Sequence, residues 1–192
     1  MSGGLGAGFG ETFRAEEGSL GELGMAVGEA LVRRGWTLAV AESCTGGWVA
    51  KVITDVPGAS RYLVGAAVVY ADAAKERMLD VSPALLEAHG AVSEETVRAM
   101  ADGVKRSLGA DVGLAVTGIA GPEGGWPGKS VGTVWFGLAL PSEAHARTAL
   151  FPGDRETVRR GATAHALAWL VERMAAGGDR CPSDVNRCLP NG

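Results

Sequence analysis

The sequence predicts an α/β fold, namely a three-layer αβα domain with a mixed, mostly parallel sheet and a C-terminal β-hairpin plus helix. Short apolar runs alternate with segments of helical apolar spacing through the first two thirds of the chain, which favours a parallel sheet covered by helices. Two later strand-like runs are joined by the short link "PSE", which is typical of an antiparallel hairpin. With 192 residues and 46% hydrophobic content, the chain can bury one substantial core.

One compact domain is expected over residues 19–176. The leader, residues 1–18, has many glycines and few core-forming side chains, and the tail, residues 177–192, has no apolar periodicity, so we expect both to be flexible. Cys181 and Cys188 in the tail lack the CxxC spacing of zinc ligands and are expected to be exposed thiols.

Six helices and five strands are predicted in this domain. The first helix has the clearest signal, because Ser19 and Glu22 form a capping-box pattern before its apolar positions. The predicted helices are 20–34, 48–56, 73–80 with Asp72 as cap, 83–89 with Ser82 as cap, 94–108 with Ser93 as cap, and 155–174 with Asp154 as cap. The predicted strands are 36–41, 62–70, 111–118, 130–140 and 144–151, and the first two are apolar enough to be buried.

Polar segments follow three of the predicted strands. Residues 43–45, 70–75 and 117–125 come directly after the first, second and third strands or at their ends. Ligands of a parallel sheet bind outside the carboxyl ends of its strands. The sequence therefore predicts a small-ligand site at this edge and not a scaffold protein.

Composition and charge exclude several classes of protein. A net charge of -4 and a pI near 5.4 provide no broad basic surface, so nucleic-acid binding is not expected. No apolar run has the length of a bilayer span, and the first residues lack the pattern of a signal peptide, so we expect a cytoplasmic protein without a membrane partner. Neither a Walker A loop nor a GxGxxG fingerprint is present.

The segment "AESCTGG" places nucleophilic side chains before two glycines. Ser43 is either a nucleophile, if a neighbouring group removes its proton, or a helix cap. No histidine stands in a motif near Cys44, which we expect to be a buried small hydrophobic residue. Thr45, Gly46 and Gly47 open a helix whose free N–H groups attract anions.

Lys75 and Tyr70 are candidates for acid–base chemistry. Lys75 falls in the first turn of a predicted helix, where burial and the positive end of the helix dipole both disfavour the ammonium form. A lysine in that setting can act as general base to a serine. The alternatives are an exposed helix lysine and, for Tyr70, an aromatic residue that packs on the core.

The segment "VTGIAGPEGG" offers the Thr117 hydroxyl and backbone N–H groups at Gly118 and Gly121 to a phosphate or an oxyanion. An ordinary structural loop has a similar composition. Lys129 and Arg155 are candidate phosphate contacts, or else solvated surface charges.

These motifs together resemble one family. The segments "TLAVAESCTGGWVAKVITDVPGAS", "VVYADAAKERMLDV", "HGAVSEETVRAMA", "AVTGIAGPEGG", "VGTVWFGLA" and "FPGDRETVRRGATAHAL" are similar, in the same order, to the CinA C-terminal domain family. The likeness covers roughly residues 19–172. Because the N-terminal domain of full-length CinA is not seen, the chain resembles the stand-alone, PncC-type branch of the family.

The resemblance implies a metal-free and cofactor-free amidohydrolase, expected to be a homodimer, that converts nicotinamide mononucleotide to nicotinate mononucleotide and ammonia. The family's serine falls on Ser43, its tyrosine and lysine fall on Tyr70 and Lys75, and the arginine of its GDR motif falls on Arg155. Ser43 would attack the amide carbon, Lys75 would move the proton, and Tyr70 would orient or relay. Either residues 43–47 or residues 117–121 would hold the oxyanion, and the other loop would hold the phosphate with Arg155.

Two segments depart from the family pattern. Asp72 stands in the run between the tyrosine and the lysine, and its carboxylate would favour the ammonium form of Lys75 and oppose its role as base. Trp126 and Ser130 stand where polar residues and a proline are expected. The alternative function is a non-catalytic nucleotide-binding or partner-binding module linked to competence and DNA repair.

Overall fold

The structure is a computed structural model that describes residues 19–126 and 128–176. The predictions made for the leader, the tail, Cys181 and Cys188 lie outside the described residues, as does Pro127. No helix in the described part of the chain is both long enough and apolar enough to cross a bilayer.

One five-stranded sheet organises the chain, in the order β2-β1-β3-β4-β5. The strands are β1 Leu38–Glu42, β2 Leu63–Val68, β3 Val112–Gly118, β4 Thr133–Ala139 and β5 Ala144–Leu150. The helices are α1 Leu20–Arg34, α2 Trp48–Thr54, α3 Asp72–Leu79, α4 Pro83–His89, α5 Glu94–Leu108 and α6 Arg155–Ala176, with a short 3₁₀ turn at Ala59–Arg61. β1 pairs parallel with β2 and β3, and β4 pairs antiparallel with β3 and β5. The predicted α/β class with a mixed sheet is confirmed.

The core lies on both faces of the sheet, as the alternation of β1 shows. Leu38 and Val40 belong to an apolar cluster with α1, α2 and α6, whereas Ala39 and Ala41 belong to a second cluster with α3, α4 and α5. Every residue of β1 is therefore buried, which is typical of a central strand with helices on both sides.

Side-chain caps fix the ends of three helices at the predicted residues. Ser19 accepts a hydrogen bond from the Glu22 N–H in a complete capping box, and Ser93 accepts one from the Thr96 N–H. Asp154 Oδ1 accepts from the Thr157 N–H at 2.8 Å. Each cap satisfies a helix N–H group that has no partner within its helix.

Two sequence predictions are wrong in this region. Asp72 does not cap α3, because Ala71 occupies the N-cap and Asp72 is the first helical residue. The second strand is not buried: β2 is an edge strand, and Val64 and Val68 are each 47% exposed. Val64, Ala66 and Val68 alternate along β2 and are exposed, so one face of this apolar strand is open to solvent.

Candidate active site

The carboxyl ends of β1, β2 and β3 meet at one edge of the sheet, as predicted. The parallel ladder continues past β1, because the Val69 N–H donates to Glu42 O at 2.8 Å and the Ser43 N–H donates to Val116 O at 3.0 Å. Ser43 therefore lies between the ends of β2 and β3, next in the ladder to the segments that carry Tyr70 and Thr117.

The turn after β1 is tight and depends on its glycines. The Gly46 N–H donates to Ser43 O at 3.1 Å, and Gly46 and Gly47 have φ of 63° and 95°. Residues with a Cβ rarely adopt such angles. Gly47 is the N-cap of α2, so Ser43, which is 8% exposed, is not a helix cap.

The carboxylate of Glu42 fills the N-terminus of α2. It is fully buried and accepts from the N–H groups of Gly47 at 2.9 Å, Val49 at 3.1 Å and Ala50 at 2.8 Å. The N–H groups at the start of α2, which were expected to attract an anion, are thus already bound to the Glu42 carboxylate.

Arg159 of α6 holds the same turn from its other side. Its Nε donates to Cys44 O at 3.1 Å and its Nη2 donates to Thr45 O at 2.8 Å. The guanidinium lies 5.4 Å from the centre of the Trp48 ring. A Cβ at position 46 would lie 3.1 Å from Nη2, so a glycine there also leaves room for the arginine.

Cys44 is the wrong group to act as nucleophile. It is 4% exposed, and burial raises the pKa of its thiol to about 12, with the charge of Glu42 acting in the same direction. The thiolate is the reactive form of cysteine, and it is scarce at neutral pH when the pKa is this high. The structure supports the expectation that Cys44 is a buried small hydrophobic residue.

Lys75 is buried at the start of α3. It is 1% exposed, so it is not the exposed helix lysine of the alternative interpretation. Its Nζ donates to Tyr70 O and to Asp72 Oδ1, both at 3.2 Å. The unusual Asp72 therefore contacts the proposed base directly.

Tyr70 and Arg155 contact each other at the open side of the site. Tyr70 is 59% exposed, and its hydroxyl accepts from Arg155 Nη2 at 2.9 Å. Arg155 Nη1 donates to Gly121 O at 2.9 Å. One guanidinium thus connects the end of β2 with the glycine-rich loop after β3, and Tyr70 does not pack into the core.

The start of the glycine-rich loop after β3 is held by a hydrogen bond and by close contact with neighbouring segments. The Thr117 hydroxyl donates to Ala91 O at 2.8 Å, and a Cβ at Gly118 would lie 2.8 Å from Thr133 O. Gly121 has a φ of 81°. Thr117 and Gly118 therefore support the loop in this structure, while the backbone of Gly121 adjoins Arg155.

Lys129, the other candidate phosphate contact, is bound to groups outside the turn after Ser43. Lys129 Nζ donates to His89 O at 3.3 Å and lies 5.6 Å from the centre of the Trp126 ring. Within residues 19–126 and 128–176, no three His, Cys, Asp or Glu side chains gather as they would around a metal ion.

A match to the CinA C-terminal domain covers residues 21–174. The chain belongs to the CinA C-terminal domain family. The family prediction made from the motifs is confirmed.

Relatives of this CinA domain include both short and long proteins. It is 48% identical over 159 residues to the nicotinamide-nucleotide amidohydrolase PncC of Escherichia coli strain K12, covering 82% of this chain and 96% of that protein. It is also 48% identical over 144 residues to a CinA-like protein of Syntrophotalea carbinolica, covering 75% of this chain but only 35% of that protein. The solved structure of competence damage-inducible protein A (ComA) from Klebsiella pneumoniae has a TM-score of 0.80 and 40% identity, covering 83% of this chain and 99% of that one.

Two residues of this CinA domain were missed by sequence reasoning. Glu42 had a local signal, because an acid directly before a glycine turn that opens a helix can accept its first N–H groups. Arg159 had none, since its contact with Cys44 joins residues 115 positions apart.

Proposed function

We propose that this CinA domain is an amidohydrolase that converts nicotinamide mononucleotide to nicotinate mononucleotide and ammonia, a step of pyridine nucleotide salvage. The observation that carries the proposal is the 48% identity, over 82% of the chain, to a protein named nicotinamide-nucleotide amidohydrolase. The meeting of Ser43, Tyr70 and Lys75 at one sheet edge supports it.

In the proposed reaction, Ser43 Oγ attacks the carboxamide carbon while the neutral amine of Lys75 takes the hydroxyl proton. The oxyanion then collapses, the C–N bond breaks, and Lys75 gives the proton to the departing ammonia. Water hydrolyses the Ser43 ester with Lys75 again as base, which releases nicotinate mononucleotide. The position of Lys75 supports this role, because the side chain is 1% exposed and its Nζ binds Tyr70 O at the sheet edge that also carries Ser43.

The structure bears on which loop binds the phosphate. A phosphate at the N-terminus of α2 would meet the buried carboxylate of Glu42, and two negative charges repel each other there. We therefore assign the phosphate to Arg155 and the loop with Thr117, Gly118 and Gly121, and the oxyanion to the turn of residues 43–47. The Tyr70 hydroxyl, bound to Arg155, would orient the nucleotide between them.

The proposal is tested by ammonia release from nicotinamide mononucleotide, with EDTA present. We expect release by the parent protein and none by Ser43→Ala, while Ser60→Ala, which alters an exposed serine, keeps the parent rate. Ser43→Ala should still gain thermal stability from the nucleotide, because only the reacting atom is lost. Unchanged turnover in Ser43→Ala would remove Ser43 as the nucleophile.

The same experiment separates an enzyme from a binding module. If the folded parent releases no ammonia and nicotinamide mononucleotide still raises its melting temperature, the protein is the alternative, a nucleotide-binding module linked to competence and DNA repair. A buried lysine at the same sheet edge as Ser43 argues for the enzyme, because a binding module needs no base.

We further propose that the protein works in the cytoplasm as a homodimer. The substrate is a charged nucleotide that does not cross a bilayer unaided, which supports a cytoplasmic site of action. The open edge of β2, with Val64 and Val68 exposed, supports pairing with a second copy.

A further inference from the structure

In the turn that follows Ser43, some main-chain N–H groups have a hydrogen-bond acceptor in the described part of the chain and others do not. Those of Ser43, Gly46 and Gly47 donate to Val116 O, Ser43 O and the Glu42 carboxylate. Among the described residues the N–H groups of Cys44 and Thr45, by contrast, have no main-chain acceptor, and that of Cys44 contacts its own thiol. Thr45 is fully buried two residues after the proposed nucleophile, so its N–H is a buried donor that a reacting group at Ser43 would satisfy.

Arg159 determines which way this N–H points. In a trans peptide the C=O and N–H bonds point in opposite directions across the peptide plane. Arg159 Nε binds the carbonyl of Cys44, which belongs to the same peptide unit as the Thr45 N–H. The N–H is therefore directed away from α6, and it stays so directed while the carbonyl is held.

We infer that Arg159 is a positioning residue, which holds the turn after Ser43 so that the Thr45 N–H donates to the oxyanion. The inference rests on the proposed function and adds to it the identity of a donor and the residue that orients it. Arg159 itself touches neither the substrate nor the reacting atoms; its two hydrogen bonds go to main-chain carbonyls.

Three features suit an arginine to this task. Its fork-shaped guanidinium reaches two successive carbonyls at once, which the single ammonium of a lysine does with less fixed geometry. The Trp48 ring lies under it and restricts its movement. Gly46 leaves the space that it occupies.

Kinetics with nicotinamide mononucleotide provide the first test. We expect Arg159→Ala to lower kcat about 100-fold, as for a misdirected oxyanion donor, with little change in KM. Guanidinium ion below denaturing concentration should restore part of the lost kcat, and Arg159→Lys should fall between the two. Arg160→Ala, which removes the exposed next arginine of α6, should match the parent. A parent-like kcat in Arg159→Ala, or a loss that appears in KM or melting temperature alone, would overturn the inference.

A second measurement does not depend on the natural substrate. A fluorophosphonate reagent phosphonylates an activated serine with loss of fluoride, and intact-mass spectrometry reports the rate at Ser43. We expect labelling in the parent and in Arg160→Ala, slow labelling in Arg159→Ala, and none in Ser43→Ala. If the parent is labelled yet releases no ammonia, the proposed substrate fails and the positioning role stands. Equal labelling of parent and Arg159→Ala, or a parent without labelling, would overturn the positioning role.

Discussion

At the scale of single residues, Lys75 is under opposing influences. Its side chain is 1% exposed, which places it in the interior, whereas its Nζ lies 3.2 Å from the Asp72 carboxylate at the surface. The Asp72 side chain is 56% exposed, so water screens part of its charge. The proposed mechanism has Lys75 Nζ exchange a proton with Ser43, and Asp72 engages the same nitrogen in a hydrogen bond.

Replacing Asp72 tests this balance. We expect Asp72→Asn to raise kcat at pH 7 by about two- to fivefold, the size of effect expected when a partly exposed ion pair that engages the base is removed. Asp80→Asn removes the same charge from the far end of α3, where the side chain is 95% exposed, and should leave kcat unchanged. A kcat for Asp72→Asn equal to that of the parent would contradict the role of Lys75 as base.

Cys44 gives a second prediction at this scale. Burial raises the pKa of its thiol to about 12, so the thiolate is negligible at neutral pH. We expect Cys44→Ala to keep most of its turnover and a thiol-alkylating reagent to leave the native enzyme active. Loss of activity as complete as in Ser43→Ala would instead make Cys44 the nucleophile.

At the scale of secondary-structure elements, α6 serves both the site and the core. Arg155 and Arg159 near its start reach the site, and His165 further along packs between Phe136 and Phe151, with ring centres 4.5 and 5.8 Å away. Burial lowers the pKa of His165 to about 3, and the charge of Arg147 adds to this effect. His165 is therefore neutral in the folded protein at neutral pH.

This histidine makes stability depend on pH. In the unfolded chain the pKa of His165 is about 6.5, so the imidazole binds a proton below that pH. The folded chain excludes this proton down to about pH 3, so the free energy of unfolding decreases as the pH falls between these two values. We expect His165 to lower the free energy of unfolding by about 1.4 kcal/mol per pH unit in that window. Urea unfolding measured at several pH values between 7 and 5 should show that the free energy of unfolding changes less per pH unit in His165→Leu than in the parent. His89→Gln, whose ring is 44% exposed, is the control, and equal slopes in all three proteins would contradict the prediction.

The elements with local signals were the ones that sequence reasoning could place. Ser19 and Ser93 could be recognised as helix caps in the sequence, because each side chain binds the N–H group of a residue only three positions further along the chain. The edge position of β2 had no such signal, since LVGAAV is apolar throughout and strand order is a property of the whole sheet. Asp72 has the chemistry of a cap, yet its carboxylate binds Lys75 one turn along.

In the candidate site, too, features with a local sequence signal could be predicted and features that depend on tertiary packing could not. The positions of Ser43, Tyr70 and Lys75 at one sheet edge follow from the rule that parallel strands end together. The roles of Glu42 and Arg159 were not predictable in this way. They depend on which main-chain groups remain without a partner once the turn and α6 are packed together.

At the scale of the whole molecule, the two edges of the sheet differ in charge. β5 carries Arg147, which pairs with Glu172 at 3.4 Å, and the polar His145, and charged edges resist pairing with other chains. β2 presents Val64, Ala66 and Val68 instead, with no charge on the strand. An antiparallel β2–β2 pair across a two-fold axis would bring these apolar side chains of two copies together.

A charge placed on this edge tests the proposed dimer. Val64→Lys puts an ammonium where two copies of β2 would pack their apolar side chains, so we expect light scattering to report a dimer for the parent and a monomer for this variant. Leu150→Lys alters a residue of similar exposure, 46%, on the opposite edge and should stay dimeric. Val64→Lys should keep its melting temperature at low protein concentration, because its side chain already faces solvent in the single chain. A parent that is monomeric at every concentration would contradict the dimer, and a dimer that survives in Val64→Lys would place the interface elsewhere.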